Sequence, residues 1–334
     1  MTRKIIAIFI LGAIISKMPA QTRDSLYASK RVLKLMGTRF ELTAISNNQD
    51  TAEFSLNQGI SEIQRIEQLI SSWSETSQTS LINQNAGVKP VEVFRELYDL
   101  IKRSIMISEL SNGAFDITFA SVGQHWKFDG SMKAPPEDDV IKASIDKVNY
   151  KNITLNDKNF TVLLEEKGMK IGFGGIGKGY AAERAKAVMK DNGAISGVVN
   201  AAGDISTWGT KLDGTPWEAA ISMPDESRKI LGWLTIGEGS VVTSGSYEKY
   251  FMNNGKRYSH IIDPRTGYPS TGIKSATIIC NNAELGDALA TTLFVLGEKE
   301  SIELINQLKG IECLIITDDD RIITSKNLNI NHWN

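Results

Sequence analysis

The sequence predicts an α+β fold with largely antiparallel sheets and flanking helices. Two observations carry that expectation. Strand-like and helix-like stretches alternate without the regular βαβ rhythm that builds a parallel sheet. Several of the strands are short and follow one another through turn signals, as antiparallel neighbours do. No Pro/Ser linker, low-complexity tract or internal repeat divides the chain. Residues 21–334 are therefore expected to form one domain or two lobes.

The elements read in order. Arg31–Ile45 is a strand pair turning at Met36-Gly37-Thr38. Ala52–Ser71 has helical spacing, with Phe54, Ile60, Ile63, Ile66 and Ile70 largely on one face. Val91–Ser111 is a second amphipathic helix, stopped by Asn112-Gly113. Val148–Leu155 and Phe160–Leu164 form a hairpin over Asn156–Asn159. Gly177–Lys190 is a helix closed by Asp191-Asn192-Gly193. Short strands follow at Gly197–Asn200, Trp217–Ile221, Gly232–Ile236 and Ser240–Ser244. Glu284–Leu296 is a late helix, and Glu312–Thr317 and Arg321–Thr324 are the last strands.

Residues 1–20 read as a secretory signal. Arg3 and Lys4 precede the apolar run Ile5–Ile15, and Pro19-Ala20 ends it. The run is shorter than the roughly 20 residues of a membrane helix. The formal charge is −2, and loss of Arg3, Lys4 and Lys17 takes the remainder to −5. A mildly acidic protein without a basic block has no electrostatic case for binding nucleic acid. Cys280 and Cys313 lie in the apolar runs ATIIC and CLII, where free buried thiols are the expectation, although the sequence leaves a disulfide open.

Four patterns bear on chemistry. His260, one of three histidines, lies in YSHIIDPRTGYP with Arg257, Asp263 and Arg265 nearby. Ile261-Ile262 reads as a short buried strand ending at Pro264, and a histidine at its mouth suits proton transfer. Residues 171–182, IGFGGIGKGYAA, match the dinucleotide and P-loop glycine spacings only in part. Gly179 stands where a P-loop needs Ser or Thr, and no acid follows at the right strand end. A glycine loop opening a helix beside Lys178 still suits a phosphate or another anion, or else simple close packing. On the late helix, Asp287 and Thr291 lie four apart among small residues, opposite a stripe of leucines, and their oxygens suit a hard cation such as Mg²⁺. Ser71-Ser72-Trp73 and Gly113-Ala114-Phe115-Asp116, with Trp126 beyond, set aromatic planes beside small polar groups, which could hold a flat heterocycle or else be scattered core aromatics.

Taken in order, MGT (36–38), SSW with Asn83, GAFDIT (113–118), GGIGKGYA (174–181), NAAGDI (200–205), TSGSYEKYF (243–251), YSHIIDPRTGYP (258–269) and DALATT (287–292) resemble the ApbE family of Mg²⁺-dependent FAD:protein FMN transferases. The resemblance runs from about Met36 to Leu296 and implies that family's flavin transferase fold. It implies transfer of FMN from FAD to a threonine hydroxyl of an exported acceptor, with release of AMP. By match, Met36, Trp73, Ala114, Phe115, Asp116, Lys178, His260 and Ile262 would surround FAD. Asp287, Thr291 and the Gly175 carbonyl would hold Mg²⁺, and His260 would be the base. One departure stands out: the family usually has an acid where this chain has Gly172. Work at the periplasmic side follows from the leader, with a membrane redox-complex subunit as one kind of acceptor. An FAD pyrophosphatase and a non-catalytic flavin binder share the same scaffold as alternatives. A nicotinamide dehydrogenase fails on the missing acid.

Overall fold

The computed structural model describes residues 25–334 apart from Asp225, Glu248, Asn331 and Asn334, so the leader expected at 1–20 lies outside the described residues. The first hairpin joins β1 (Tyr27–Leu35) to β2 (Thr38–Ser46). Its turn residues, Met36 and Gly37, have φ of 48° and 72°. A two-residue turn with both φ positive matches the twist of the strands it joins. Next comes α1 (Gln49–Ile70), capped by the Asn48 side chain on the Thr51 N–H.

Then come α2 (Gln78–Gln84), β3 (Val91–Glu92) and α3 (Arg95–Leu110). The helix expected from Val91 starts four residues later. Val91 and Glu92 instead pair with Val162 and Thr161, an extended role that suits β-branched residues after a proline. α4 (Ala120–Gly123) and α5 (Asp138–Ile145) lead to the hairpin of β4 (Ile153–Asn156) and β5 (Thr161–Leu164).

The second half opens with α6 (Gly177–Asp191), β6 (Ser196–Ala201) and β7 (Asp204–Trp208). β8 (Trp217–Met223), β9 (Glu226–Ile236) and β10 (Gly239–Gly245) follow. A separate hairpin of β11 (Tyr250–Asn253) and β12 (Lys256–Ser259) precedes β13 (Ile273–Cys280). The chain ends with α7 (Ala283–Leu296), α8 (Glu298–Ile305), β14 (Glu312–Thr317), β15 (Ile322–Thr324) and β16 (His332–Trp333).

The main sheet has eight strands in the order β1-β2-β6-β7-β10-β13-β14-β15, and every neighbouring pair is antiparallel. This is the α+β architecture the sequence predicts. The sheet is covered on both faces. Val242, Ile278, Cys313 and Ile315 point into the helical side, with α1, α6 and α7. Their strand neighbours Val241, Ile279, Leu314 and Ile316 point the other way, onto the small sheet of β8, β9 and β16. Alternate residues of one strand thus serve two cores, which is why ATIIC and CLII read as unbroken apolar runs. Both cysteines are free and buried. A third apolar cluster, around Trp126, Ile141, Phe251 and Ile262, lies under the β11–β12 hairpin.

Two local expectations change. Ile261-Ile262 is not a strand: both residues are buried, but the only pairing is a single bridge from Ile262 to Pro269, because the Asp263–Tyr268 turn folds the chain straight back. Phe54, placed by its spacing on the same face of α1 as Ile63, Ile66 and Ile70, is instead exposed. On helix α7 the face opposite the leucines is packed, as its small residues allow. Asp287, Ala288 and Ala290 are buried as fully as Leu289 and Leu293, since α6 packs on that side.

Candidate functional site

A cavity of about 510 Å³ opens where the loop before α6, the middle of α7, the end of β10 and the segment 114–129 converge. Gly172, Gly174, Gly175 and Lys178 form one wall. Asp287 and Thr291 line the same end, and Ala114, Phe115, Asp116, Trp73, His260 and Ile262 line the remainder. All the residues expected at the site from sequence reach this cavity except Met36. Met36 sits behind the wall: its methyl group lies 3.8 Å from where a Gly177 β-carbon would be. Its positive φ, uncommon for a residue with a side chain, fixes it under the glycine loop.

The polar end is built by close helix packing. A β-carbon on Gly179 would fall 2.1 Å from the Ala283 carbonyl oxygen, so only glycine lets α6 approach α7 this closely. The start of α6 has no side-chain cap of its own. Asp287 replaces it from the neighbouring helix: its Oδ2 accepts the Gly179 N–H at 2.9 Å. An anion at a helix N-terminus satisfies an orphan donor and meets the positive end of the dipole. The other oxygen, Oδ1, lies 4.0 Å from the Lys178 ammonium, which is itself bonded to Asp204. The glycine motif therefore divides its labour. Gly177 and Gly179 exist for packing, the former against Ile70, while Gly174 and Gly175 expose backbone to the cavity.

Gly175 and Thr291 are in contact: a β-carbon on Gly175 would lie 3.0 Å from the Thr291 Oγ1. One carboxylate, one hydroxyl and the adjoining Gly175 backbone make an oxygen-only donor set. Such a set fits Mg²⁺, which binds few protein oxygens and fills its shell with phosphates and water. Among the described residues no cluster of three His, Cys, Asp or Glu side chains offers an all-protein cage.

His260 faces this end across the cavity. Its Nδ1 lies 3.1 Å from the Lys249 carbonyl oxygen, and a carbonyl only accepts, so Nδ1 carries the proton. Nε2 is then the basic nitrogen. Burial, with Lys249 and Lys178 nearby, lowers the ring's pKa from 6.5 to about 4. The imidazole is therefore neutral throughout the physiological range. Its sequence neighbours do not act with it. Asp263 forms a bidentate pair with Arg265, which also donates to the Val295 carbonyl.

Aromatic side chains line much of the remaining wall. Phe128 meets His260 edge-on at 6.4 Å and stacks beside Trp126 at 6.3 Å. Trp73 is 94% exposed at the rim, so none of the described residues covers its indole. Asp116 lines the cavity, but its carboxylate accepts from the Thr118 N–H and hydroxyl and from the Tyr150 N–H, and burial raises its pKa. It pins the loop and is not available as a base. Sequence reasoning quoted Asp204 and Lys249 within motifs but gave neither a role, and it did not single out Lys127, Phe128 and Asp129; Lys249 and these three line the cavity. These four lie in irregular chain, where no periodicity marks them. Asp204 had a usable signal, an acid opening a strand beside a two-residue turn.

Fold and site together define an α+β protein with one cavity that has a glycine loop, an ammonium and a carboxylate at one end and aromatic side chains along its walls. The match to the ApbE family model spans residues 36–315, and the chain belongs to the ApbE family. An FAD:protein FMN transferase of Treponema pallidum is 31% identical over 278 residues, which cover 79% of this chain and 77% of the relative. One from Klebsiella pneumoniae is 30% identical over 295 residues, covering 87% and 90%. The crystal structure of the ApbE protein of Thermotoga maritima superposes with a TM-score of 0.82 at 32% identity, over 90% of this chain and 97% of that one. The flavin transferase ApbE from Vibrio cholerae, at 24% identity and a TM-score of 0.79, shares the fold.

Proposed function

We propose that this protein moves FMN from FAD to a threonine hydroxyl of an exported acceptor protein, with Mg²⁺ bound and AMP released. The enzyme is an FAD:protein FMN transferase, the activity its relatives are named for. One observation carries the finer reading: an ammonium, a carboxylate–hydroxyl pair and a neutral histidine share one aromatic-walled cavity.

Asp287, Thr291 and the Gly175 carbonyl would hold Mg²⁺, which neutralises pyrophosphate charge when bound. The Lys178 ammonium meets the phosphates at the same end, beside the Gly174-Gly175 backbone. Phe115, Ile262 and the uncovered Trp73 indole hold the flat ring system. The threonine hydroxyl gives its proton to His260 Nε2 as its oxygen bonds to the phosphorus of the FMN half. The bond from that phosphorus to the bridging oxygen breaks, and AMP leaves with that oxygen. A histidine with a pKa of about 4 is a weak base, but it carries no proton at neutral pH and takes one only as the new bond forms. The leader read at residues 1–20 supports placing the reaction in the periplasm or at the outer face of the inner membrane.

Chromatography of FAD incubated with enzyme and Mg²⁺, with and without a threonine-bearing acceptor, tests the reading. The expected result is AMP release that depends on the acceptor. Free FMN and AMP at the same rate without acceptor would make the protein a hydrolase. Intact FAD in both reactions would make it a flavin binder.

A further inference from the structure

Asp204 is 1% exposed and opens β7 in the middle of the main sheet. Its place is tightly fixed. The connection from β6 is the two-residue turn Ala202-Gly203, with φ of 57° and 108°, and Ala201 pairs directly with Asp204. Ala202 also donates to the Arg39 carbonyl, which ties the turn to β2. From this rigid position the Asp204 carboxylate bonds the Lys178 ammonium. The same ammonium stays 4.0 Å from Asp287 Oδ1, inside ion-pair range and outside hydrogen-bond range. One cation thus stands between two buried carboxylates from different elements, β7 and α7. The carboxylate that bonds it decides which one stays open.

We infer that Asp204 is a positioning residue: it holds Lys178 off Asp287 and so keeps Asp287 Oδ1 open for a divalent cation. The inference rests on Asp287 being a cation ligand. Without the Asp204 charge, Asp287 becomes the stronger partner, and the ammonium needs to move only about 1 Å to form a full charge-assisted bond there. An entering cation must then displace it. A carboxylate on the sheet that had only a structural role would leave cation affinity alone.

The test is a Mg²⁺ titration read by melting temperature, on wild type, Asp204→Asn, Asp204→Glu, Lys178→Met and the double variant Lys178→Met/Asp204→Asn. Asp204→Asn is expected to weaken apparent Mg²⁺ affinity by about tenfold, the weight of one hydrogen bond to a charged group. Asp204→Glu keeps the charge and should stay near wild type. The double variant should bind Mg²⁺ as Lys178→Met does, because the competitor is gone from both. That comparison also holds if Asp204→Asn alone fails to fold. Unchanged Mg²⁺ affinity in folded Asp204→Asn, or a double variant weaker than Lys178→Met, would overturn the inference. A wild type whose melting temperature ignores Mg²⁺ overturns the cation reading of Asp287 itself, and this inference with it.

Discussion

Substitution of Asp287 separates its two roles, because the structure assigns one to each oxygen. Oδ2 closes the α6 terminus on the Gly179 N–H, and Oδ1 faces Lys178 and the cavity. Asp287→Ala removes both. Loss of the cap and of a partner for a buried N–H costs about 1–3 kcal/mol. Asp287→Asn keeps an oxygen for Gly179, and Asn caps as well as Asp, so its stability should lie within about 1 kcal/mol of wild type. The charge is lost in both. Turnover should therefore fall by about 10²–10³-fold or more in each, the usual cost of removing a fixed charge at a reacting phosphate. Thermal melting and AMP release measure the two effects separately. The expected pattern is a stable, inactive Asn variant beside a destabilised, inactive Ala variant. An Asp287→Asn enzyme with turnover within about tenfold of wild type would refute the cation role. An Asp287→Ala protein as stable as wild type would refute the capping role.

His260→Ala should slow transfer by about 10²–10⁴-fold with little change in FAD affinity, measured by adduct formation and fluorescence titration. With the folded pKa at about 4, the rate should be flat across neutral pH and fall only toward pH 4, unlike the mid-range step of an ordinary histidine. The same depressed value makes stability full above 6.5 and progressively lost as pH falls toward 4, by on the order of 3 kcal/mol, because only the unfolded chain binds the proton there. Melting curves of His260→Gln should lack that part of the acid loss. Gly172→Asp should tighten FAD binding by about ten- to a hundredfold if a nucleotide donor meets the new carboxylate. Gly172 lies outside the left-handed region, but its β-carbon would meet the Ala120 Cβ at 3.2 Å, so Ala120 must give way slightly for the variant to fold. Unchanged or weaker affinity in a folded variant would contradict this. Trp73→Ala should leave the melting temperature unchanged, since the indole packs on nothing, while FAD titration shows a loss of about 0.5–1.5 kcal/mol.

Elements with a strong internal period were legible in the sequence. The face of Ile63, Ile66 and Ile70 in α1 is buried as its spacing predicts, whereas Ile60 on that face is half-buried and Phe54 is exposed. The leucine stripe of α7 was legible too, as was the close approach its small residues allow on the other face, but that α6 makes this approach was not, because α6 is brought from more than a hundred residues away. β7 was lost inside a turn signal, since Ala202 and Gly203 look like a loop until β6 and β7 are seen to pair across them. At the site, side chains whose own chemistry points to a role, His260, Lys178, Asp287 and Thr291, were found in advance and share the cavity. Their partners were not. The Lys249 carbonyl that sets the His260 tautomer and the Asp204 carboxylate that holds Lys178 act across the fold, and a linear chain carries no record of that distance. Asp263 and Asp116, two other acids of the quoted site motifs, are each engaged by hydrogen bonds that the sequence could not display.

The central claim is covalent transfer of FMN to threonine, and the acceptor's mass tests it most directly. Wild-type enzyme, FAD and Mg²⁺ are incubated with a threonine-bearing acceptor, and the acceptor is then analysed by intact and tandem mass spectrometry. The expected product is an FMN phosphoester on the threonine, absent when the threonine is replaced by alanine and absent with Asp287→Asn enzyme. An acceptor that stays unmodified while FAD is cleaved to FMN and AMP would contradict it.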